Sequence, residues 1–115
     1  MGACTFLDLS YGKTAKDAFV RIRDAARWEN GYGGYSGTIA EKNEFINIRF
    51  ESGSDPYQLA REMIDSMDPR INDKWGPCGC MDVSGTTYAH QYKEHTGLPS
   101  DDSTSVYLFF GWASE

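Results

Sequence analysis

Long apolar runs are missing from this 115-residue chain, and so is any excess of positive charge. No stretch approaches the ~20 apolar residues needed to cross a bilayer, and the first residues lack the basic and apolar regions of a signal peptide. Eleven basic residues against seventeen acidic ones give a net charge of −6, which opposes binding to a nucleic-acid backbone. We therefore expect a cytoplasmic protein that binds neither membranes nor nucleic acids.

Cysteine is also scarce. The chain has three, Cys4, Cys78 and Cys80, and an odd number in a cytoplasmic protein predicts reduced thiols. Paired zinc thiolates are usually separated by about two to four residues, whereas one residue separates Cys78 from Cys80. Zinc held with His90 and His95 is therefore the less favoured interpretation, and we predict no metal or other cofactor.

No catalytic signature is present either. The enzymatic alternative uses Cys78 or Cys80 as a thiolate, His90 as its base, and Asp82 or Asp101 to orient the histidine. Free cysteines are more often small buried apolar residues. We therefore predict no catalytic residue, and the enzyme is kept as an alternative.

The residues that are present suit one globular domain over residues 1–115. Apolar residues make up 40% of the chain and aromatic residues 14%, enough for a core without cross-links. Apolar spacing predicts a helix that begins at Thr14 and ends near Asn30, and a second that begins at Asp55-Pro56, includes Met67 and is stopped by Pro69. Strands are predicted over residues 4–9, 43–50, 80–83, 86–93 and 104–113.

When one of the two short candidate strands at residues 80–83 and 86–93 is counted, the order is β-α-β-α-β-β, which predicts an α+β fold. The economical arrangement is a two-layer sandwich, with two helices packed on one face of a mostly antiparallel or mixed sheet of about four strands. A ferredoxin-like topology is the nearest familiar one, although the order of elements does not match it fully.

The most distinctive segment follows the first helix: Gly31-Tyr-Gly-Gly-Tyr-Ser-Gly-Thr-Ile-Ala-Glu-Lys42. Its glycines allow close approach of the backbone, and its tyrosines add flat apolar area with a polar tip. A second aromatic candidate lies in the turn Asp73-Lys-Trp-Gly-Pro77. From both segments we predict one ligand-binding site, formed by Tyr32, Gly34, Tyr35, Gly37, Thr38, Glu41, Lys42 and Trp75.

Two interpretations of the glycine-rich segment stay open. A helix precedes it where a dinucleotide fingerprint needs a strand, and no Gly-Lys-Ser/Thr follows, which excludes a P-loop. Thr38 and Glu41 are spaced as a capping box, so a short helical turn is predicted to begin at Thr38. A nucleotide could then lie between Tyr32, Tyr35 and Trp75, over backbone amides. The other interpretation is a simple connection into a hairpin.

Three segments together carry a family resemblance: Gly34-Tyr-Ser-Gly-Thr-Ile-Ala-Glu-Lys42, Asp73-Lys-Trp-Gly-Pro77 and Phe109-Phe-Gly-Trp-Ala-Ser114. The set resembles small, mostly uncharacterised proteins of tailed bacteriophages and related mobile elements. The resemblance implies an origin, an accessory protein in the cytoplasm of an infected bacterium, and no mechanism. Phage accessory proteins of this size often bind and block a host-defence complex.

We therefore predict a non-enzymatic binding protein that counteracts host defence by inhibiting a host protein complex. Acidic residues that could meet a basic surface on that partner, or merely keep the protein solvated, are Glu41, Glu44, Glu51, Asp55, Glu62, Asp65 and Asp68. The alternatives are a protein that sequesters a small nucleotide-like signal and a cysteine-dependent enzyme. The oligomeric state is left open, and a homo-oligomer is one option.

Overall fold

Three helices, four strands and one short 3₁₀ helix form the described part of the chain, residues 3–30, 38–51, 53–98 and 104–114 of a computed structural model. In chain order they are β1 (Ala3–Gly12), α1 (Ala15–Asn30), the 3₁₀ helix (Ile39–Glu41), β2 (Phe45–Asn47), α2 (Pro56–Asp65), β3 (Cys78–Asp82), α3 (Thr87–Thr96) and β4 (Ser105–Ser114). None of these helices is long and apolar enough to span a bilayer.

The two predicted helices begin at their predicted capping residues. At the start of α1, the Thr14 hydroxyl accepts a hydrogen bond from the amide of Asp17 at 3.2 Å. At the start of α2, one carboxylate oxygen of Asp55 accepts from the amides of Tyr57 and Gln58, at 2.9 and 3.4 Å. Each side chain satisfies an amide that the first helical turn leaves without a partner. Both predicted starts are confirmed.

Two boundaries differ from the sequence prediction. Helix α2 ends at Asp65, before Pro69, because the chain leaves the helix at Ser66 and Met67 adopts a left-handed φ of 56°. The strand predicted over residues 43–50 is present only at its centre, as β2. Pairing continues one residue further, since the Ile48 amide donates to the Cys80 carbonyl at 2.8 Å.

The prediction of a strand over residues 86–93 is wrong, because this segment forms helix α3. Its threonines and tyrosines favour strands, but the Thr86 hydroxyl caps a helix by accepting from the amide of Ala89 at 3.4 Å. Ala89 and Lys93, four residues apart, are both buried, as one face of a packed helix requires. Gly97 ends the helix in the left-handed conformation, at φ 77°.

The four strands form one mixed sheet in the order β1-β4-β3-β2. Strand β4 is antiparallel to both of its neighbours, and Leu108 lies opposite Leu9 on one side and Met81 on the other. Strands β2 and β3 are parallel, with Phe45 opposite Cys78. Their carboxyl ends therefore lie at the same end of the sheet, and each is followed there by the N-terminus of a helix, α2 or α3.

Alternate residues of β4 build cores on the two faces of the sheet. Leu108 and Phe110 pack in a cluster with Ala60 of α2 and with α3. Phe109, between them in sequence, packs against α1, where its ring centroid lies 5.7 Å from that of Phe19. Two helices, α2 and α3, thus cover one face, and α1 packs on the other.

The predicted α+β fold with a mixed sheet of about four strands is confirmed. The two helices predicted from the sequence, α1 and α2, pack on opposite faces of the sheet and not on the same one; the helix that shares a face with α2 is α3. Helix α3 was not predicted from the sequence, and with it the chain order is β-α-β-α-β-α-β. That order departs from the ferredoxin-like β-α-β-β-α-β.

Candidate functional site

Half of the predicted ligand site lies outside the described residues, namely Tyr32, Gly34, Tyr35 and Gly37. The other half is described: Thr38, Glu41, Lys42 and Trp75. Lys42 contacts the turn of residues 73–77 that carries Trp75, and Thr38 and Glu41 belong to the 3₁₀ segment that precedes Lys42. The binding of a ligand by these residues stays a prediction.

The short helical turn predicted at Thr38 is present. The Thr38 hydroxyl accepts from the amide of Ala40 at 3.2 Å, and the Thr38 carbonyl accepts from the amide of Glu41 at 3.1 Å. The attraction of a helix terminus for anions comes from many aligned peptide dipoles, and this helix has only three residues. Its main effect in the structure is to direct the next residue, Lys42, into the interior.

Lys42 is a fully buried cation, with 0% of the residue exposed. Its ammonium donates to the carbonyl oxygens of Asp73, Lys74 and Gly76, at 3.2, 3.3 and 2.9 Å. Burial lowers the pKa of this amine. Charge-assisted hydrogen bonds to three carbonyls of one turn fix that turn in place, so Lys42 has a structural role as an anchor.

The turn that Lys42 anchors carries Trp75 at the surface, where 56% of the residue is exposed. Asp73 closes the turn, since its carboxylate accepts from the Trp75 amide and its carbonyl accepts from the Gly76 amide, both at 2.9 Å. The Lys74 ammonium lies 5.9 Å from the centre of the indole ring, within range of a cation–π contact. The fixed turn predicted from the sequence is therefore present.

The geometry gives no support to cysteine chemistry. Cys78 and Cys80 are 0% and 1% exposed, and burial raises the pKa of each thiol to about 12, so neither is a thiolate near neutral pH. Both pack on the α1 face. His90 is exposed on α3, which packs on the other face, and lies 3.1 Å from Glu94; Asp101 lies outside the described residues. Within the described ranges, His, Cys, Asp and Glu form no group of three that could hold a metal ion.

A cleft that the sequence analysis missed lies where the two parallel strands end. Its volume is about 890 Å³, and its walls are the residues that follow β2 and β3 together with the first residues of α2 and α3. Ile48 and Phe50 supply apolar surface, and Asp82 is the last residue of β3. Ligands of α/β proteins commonly bind outside the carboxyl ends of parallel strands, beside helix N-termini. We call this the strand-end cleft.

Asp55 and Tyr88 join the two helices in the wall of the strand-end cleft. The Tyr88 phenol of α3 donates to Asp55 Oδ1 at 2.9 Å, and this hydrogen bond raises the pKa of the phenol. Every hydrogen bond that the Asp55 carboxylate accepts from the described residues uses Oδ1. Its Oδ2 is therefore available to a ligand.

Two more charged side chains line the strand-end cleft. Asp82 Oδ1 accepts from the amide and the hydroxyl of Ser84, at 3.0 and 2.6 Å, and within the described ranges nothing donates to its Oδ2. Arg49 also has no hydrogen-bond or ion-pair partner in that part of the chain. Thr87 and Gln91 add a hydroxyl and an amide. The cleft thus offers carboxylates, a guanidinium and neutral polar groups around apolar side chains.

Local sequence patterns indicate the two helix starts that border this cleft, but they do not indicate that the two lie together. Asp55-Pro56 and Thr86 both have the chemistry of helix starts. Because residues 86–93 were predicted to form a strand, helix α3 was not predicted. No local sequence pattern shows that β2 and β3 are parallel. The two capping residues were therefore not placed together.

Comparison of the whole chain with protein-family models, with curated proteins and with solved structures finds no match.

Proposed function

We propose that this protein binds a small polar molecule in the strand-end cleft. The observation that supports it is the convergence of Asp55, Asp82 and Arg49 on one cleft of about 890 Å³ beside two helix N-termini. Ligand pockets commonly have volumes of about 300–1,000 Å³. The proposal keeps the small-ligand alternative of the sequence analysis and moves its site from the glycine-rich segment to this cleft.

The charges define the class of ligand. The open carboxylate oxygens of Asp55 and Asp82 accept hydrogen bonds, so they suit amino or hydroxyl groups. Arg49 and the first amides of α3 suit an anionic group such as a phosphate or a carboxylate. Phe50 adds a flat apolar surface against which a ring can pack. A nucleotide carries all three kinds of group, and it is the class that we propose.

Thermal unfolding in the presence of a defined panel tests this proposal. A ligand that binds only the folded protein stabilises it, by about 2.7 kcal/mol at a hundred times its Kd. Nucleotides, nucleosides, inorganic phosphate, amino acids and sugars separate the contribution of the ring from that of the anionic group. We expect the largest rise in Tm with a nucleotide. No rise with any member of the panel would contradict the proposal.

Conservative variants locate the site. Asp55→Asn keeps a good helix cap, and Asp82→Asn keeps an acceptor for Ser84, yet each removes a carboxylate from the cleft. Each should weaken binding about tenfold, the loss of one charge-assisted hydrogen bond. Asp65→Asn is the matched control, because Asp65 is exposed on α2 and does not line the cleft. An equal loss in all three variants would place the ligand elsewhere.

A protein that inhibits a host complex is the second candidate, favoured by the exposed Trp75 on a turn that Lys42 anchors. Aromatic side chains held on rigid backbone are frequent anchors of protein interfaces. A phage plaque assay in bacteria that carry a defence system tests this candidate. The protein should restore plaques, Trp75→Ala should not, and Asp55→Asn should behave as the parent.

A further inference from the structure

The outer edge of β1 carries backbone groups that the sheet does not use. Strand β1 is an edge strand in the order β1-β4-β3-β2. In β4, the Val106 amide donates to the Ser84 hydroxyl and the Val106 carbonyl accepts from the Val83 amide, so the backbone of Val106 is directed away from β1. Tyr11, opposite Val106, therefore turns its own backbone away from β4. The Tyr11 carbonyl accepts instead from Arg21 Nε at 3.1 Å.

The same alternation extends along β1 to Leu9 and Leu7. Every second residue of an antiparallel edge strand directs both its amide and its carbonyl outward. Leu9 lies opposite Leu108 and Leu7 opposite Phe110, in the register that Tyr11 sets. Within the described ranges no hydrogen bond reaches the outward groups of Leu7 or Leu9. The described residues therefore leave this part of the edge unpaired.

An apolar groove of about 480 Å³ runs along the open edge. We call it the edge groove; its lining includes Leu7, Asp8, Leu9, Ile22, Tyr57 and Tyr92. Helix α1 forms one side, and the two tyrosines of α2 and α3 form the other. Successive side chains of an extended chain point in opposite directions, so a strand laid along β1 would place them alternately against both sides.

We propose that an extended segment of another polypeptide, with a basic side chain opposite Asp8, adds to β1 as a further strand of the sheet. The charged residues that line the edge groove, Asp8 and Glu29, are both acidic. Strand addition takes affinity from backbone hydrogen bonds and specificity from side-chain pockets. Asp8 supplies that specificity, because it is the one charged residue on the strand beside the open amides.

The environment of Asp8 agrees with a cationic partner. Burial raises the pKa of this carboxyl, although the side chain still contacts solvent. A raised pKa means that the ionised form is disfavoured in the free protein. A positive charge placed opposite Asp8 would relieve this cost.

Charge also selects against a second copy of this chain as the occupant. In a symmetric pairing of two β1 strands, the same acidic residues of both copies would lie near one another. Asp8 and Glu29 would then repel their equivalents, and each chain carries a net charge of −6. A basic extended segment forms the same backbone ladder with attraction in place of repulsion.

Short peptides of alternating valine and threonine, with lysine, glutamate or alanine at the centre, are the probe. Fluorescence anisotropy measures binding, and NMR follows the amide exchange of Leu7 and Leu9. We expect the lysine peptide to bind about tenfold more tightly than the alanine peptide, and the glutamate peptide to bind most weakly. Bound peptide should protect both amides. The lysine peptide with a methylated backbone should not bind, because its ladder hydrogen bonds are blocked.

Variants of the protein separate charge from backbone pairing. Asp8→Lys should reverse the preference, so that the glutamate peptide binds better than the lysine peptide. Asp65→Lys, an equal charge change at an exposed position outside the edge groove, should keep the lysine preference. Thr5→Pro leaves the β1–β4 ladder intact, because the Thr5 amide faces outward. It removes a donor from the outer edge, so it should weaken the binding of every peptide.

Three results would overturn the proposal. The first is that no peptide protects Leu7 or Leu9. The second is a lysine preference that survives in Asp8→Lys. The third is protection of both amides that rises with protein concentration in the absence of peptide, because it would show that a second copy pairs with β1.

Discussion

Replacing Lys42 with methionine would remove an ammonium that holds three carbonyls at once. Methionine is flexible, apolar and of similar length, so it fills the buried space and isolates the loss of hydrogen bonds. The carbonyl oxygens of Asp73, Lys74 and Gly76 would lose the donor that now lies 3.2, 3.3 and 2.9 Å away. A buried acceptor left unsatisfied costs about 1–3 kcal/mol.

Two effects make the expected loss of stability smaller than the sum over three unsatisfied carbonyls. Burial lowers the pKa of the Lys42 amine, so the folded protein already bears a desolvation cost that methionine does not have. Asp73 and Trp75 are exposed, so water reaches part of the turn once it loosens. We therefore expect a loss of about 2–3 kcal/mol in the free energy of unfolding. For a domain of this size, the corresponding fall in Tm is roughly 10 °C.

Denaturant unfolding measures the global loss, and limited trypsin digestion after Lys74 measures local opening of the turn. Lys16→Met is the matched control, because Lys16 is exposed on α1. We expect faster cleavage after Lys74 only in Lys42→Met. A free energy of unfolding within about 0.5 kcal/mol of the parent, with unchanged cleavage, would refute the anchoring role.

Three further substitutions, with Gly85→Ala as a control for the first, test packing and titration. Gly79→Ala should cost about 1–3 kcal/mol in calorimetry, because a methyl group there collides with the Phe110 ring, whereas Gly85→Ala meets open space and should change stability little. Burial raises the pKa of the Cys80 thiol from an ordinary 9.0 to about 12 in the folded protein. Above pH 9.0 the thiol therefore ionises in the unfolded chain first, so the folded protein loses stability as the pH rises from 9.0 toward 12. Cys80→Ala should reduce that loss in denaturant unfolding by up to ~1.4 kcal/mol per pH unit. Asp8→Asn should raise Tm at neutral pH, because burial raises the pKa of the Asp8 carboxyl and its ionised form therefore destabilises the folded protein. Below pH 3.8 the carboxyl is protonated in both the folded and the unfolded states, so the gain should vanish there. An unchanged Tm at neutral pH would contradict this.

Elements with a local chemical mark could be predicted from the sequence. Thr14 and Asp55 were placed correctly as helix starts, because a capping side chain acts on amides only two or three residues away. The strand over residues 104–113 was predicted for a similar reason, since its run of β-branched and aromatic residues identifies a buried strand. Helix α3 has capping residues as well, Thr86 and Gly97, but its inward face does not carry a full apolar stripe. Its buried face includes Lys93, a cation that sequence patterns assign to solvent.

The site depended on contacts between distant residues. Lys42 was predicted to contact a ligand, but its ammonium meets carbonyls 31 to 34 residues further along the chain. No local pattern shows that the turn of residues 73–77 returns to the 3₁₀ helix. The strand-end cleft likewise requires β2 and β3 to be parallel, which long-range pairing decides. Sequence patterns therefore supplied the fold class and the capping residues, and the structure was needed to assemble a site.

The strand-end cleft and the edge groove share a chain of contacts, and this predicts that they influence one another. Tyr57 lines the edge groove, and its ring centroid lies 4.4 Å from that of Tyr88. Tyr88 in turn donates to Asp55 in the cleft. A ligand that draws Asp55 toward itself would shift both rings, so peptide affinity at β1 should change when the cleft is filled, and by linkage the cleft affinity should change by the same factor. Tyr88→Phe keeps the ring and removes the hydrogen bond, so it should reduce this coupling. Titrating each partner with and without the other measures it, and equal affinities in both cases would show that the contacts transmit nothing.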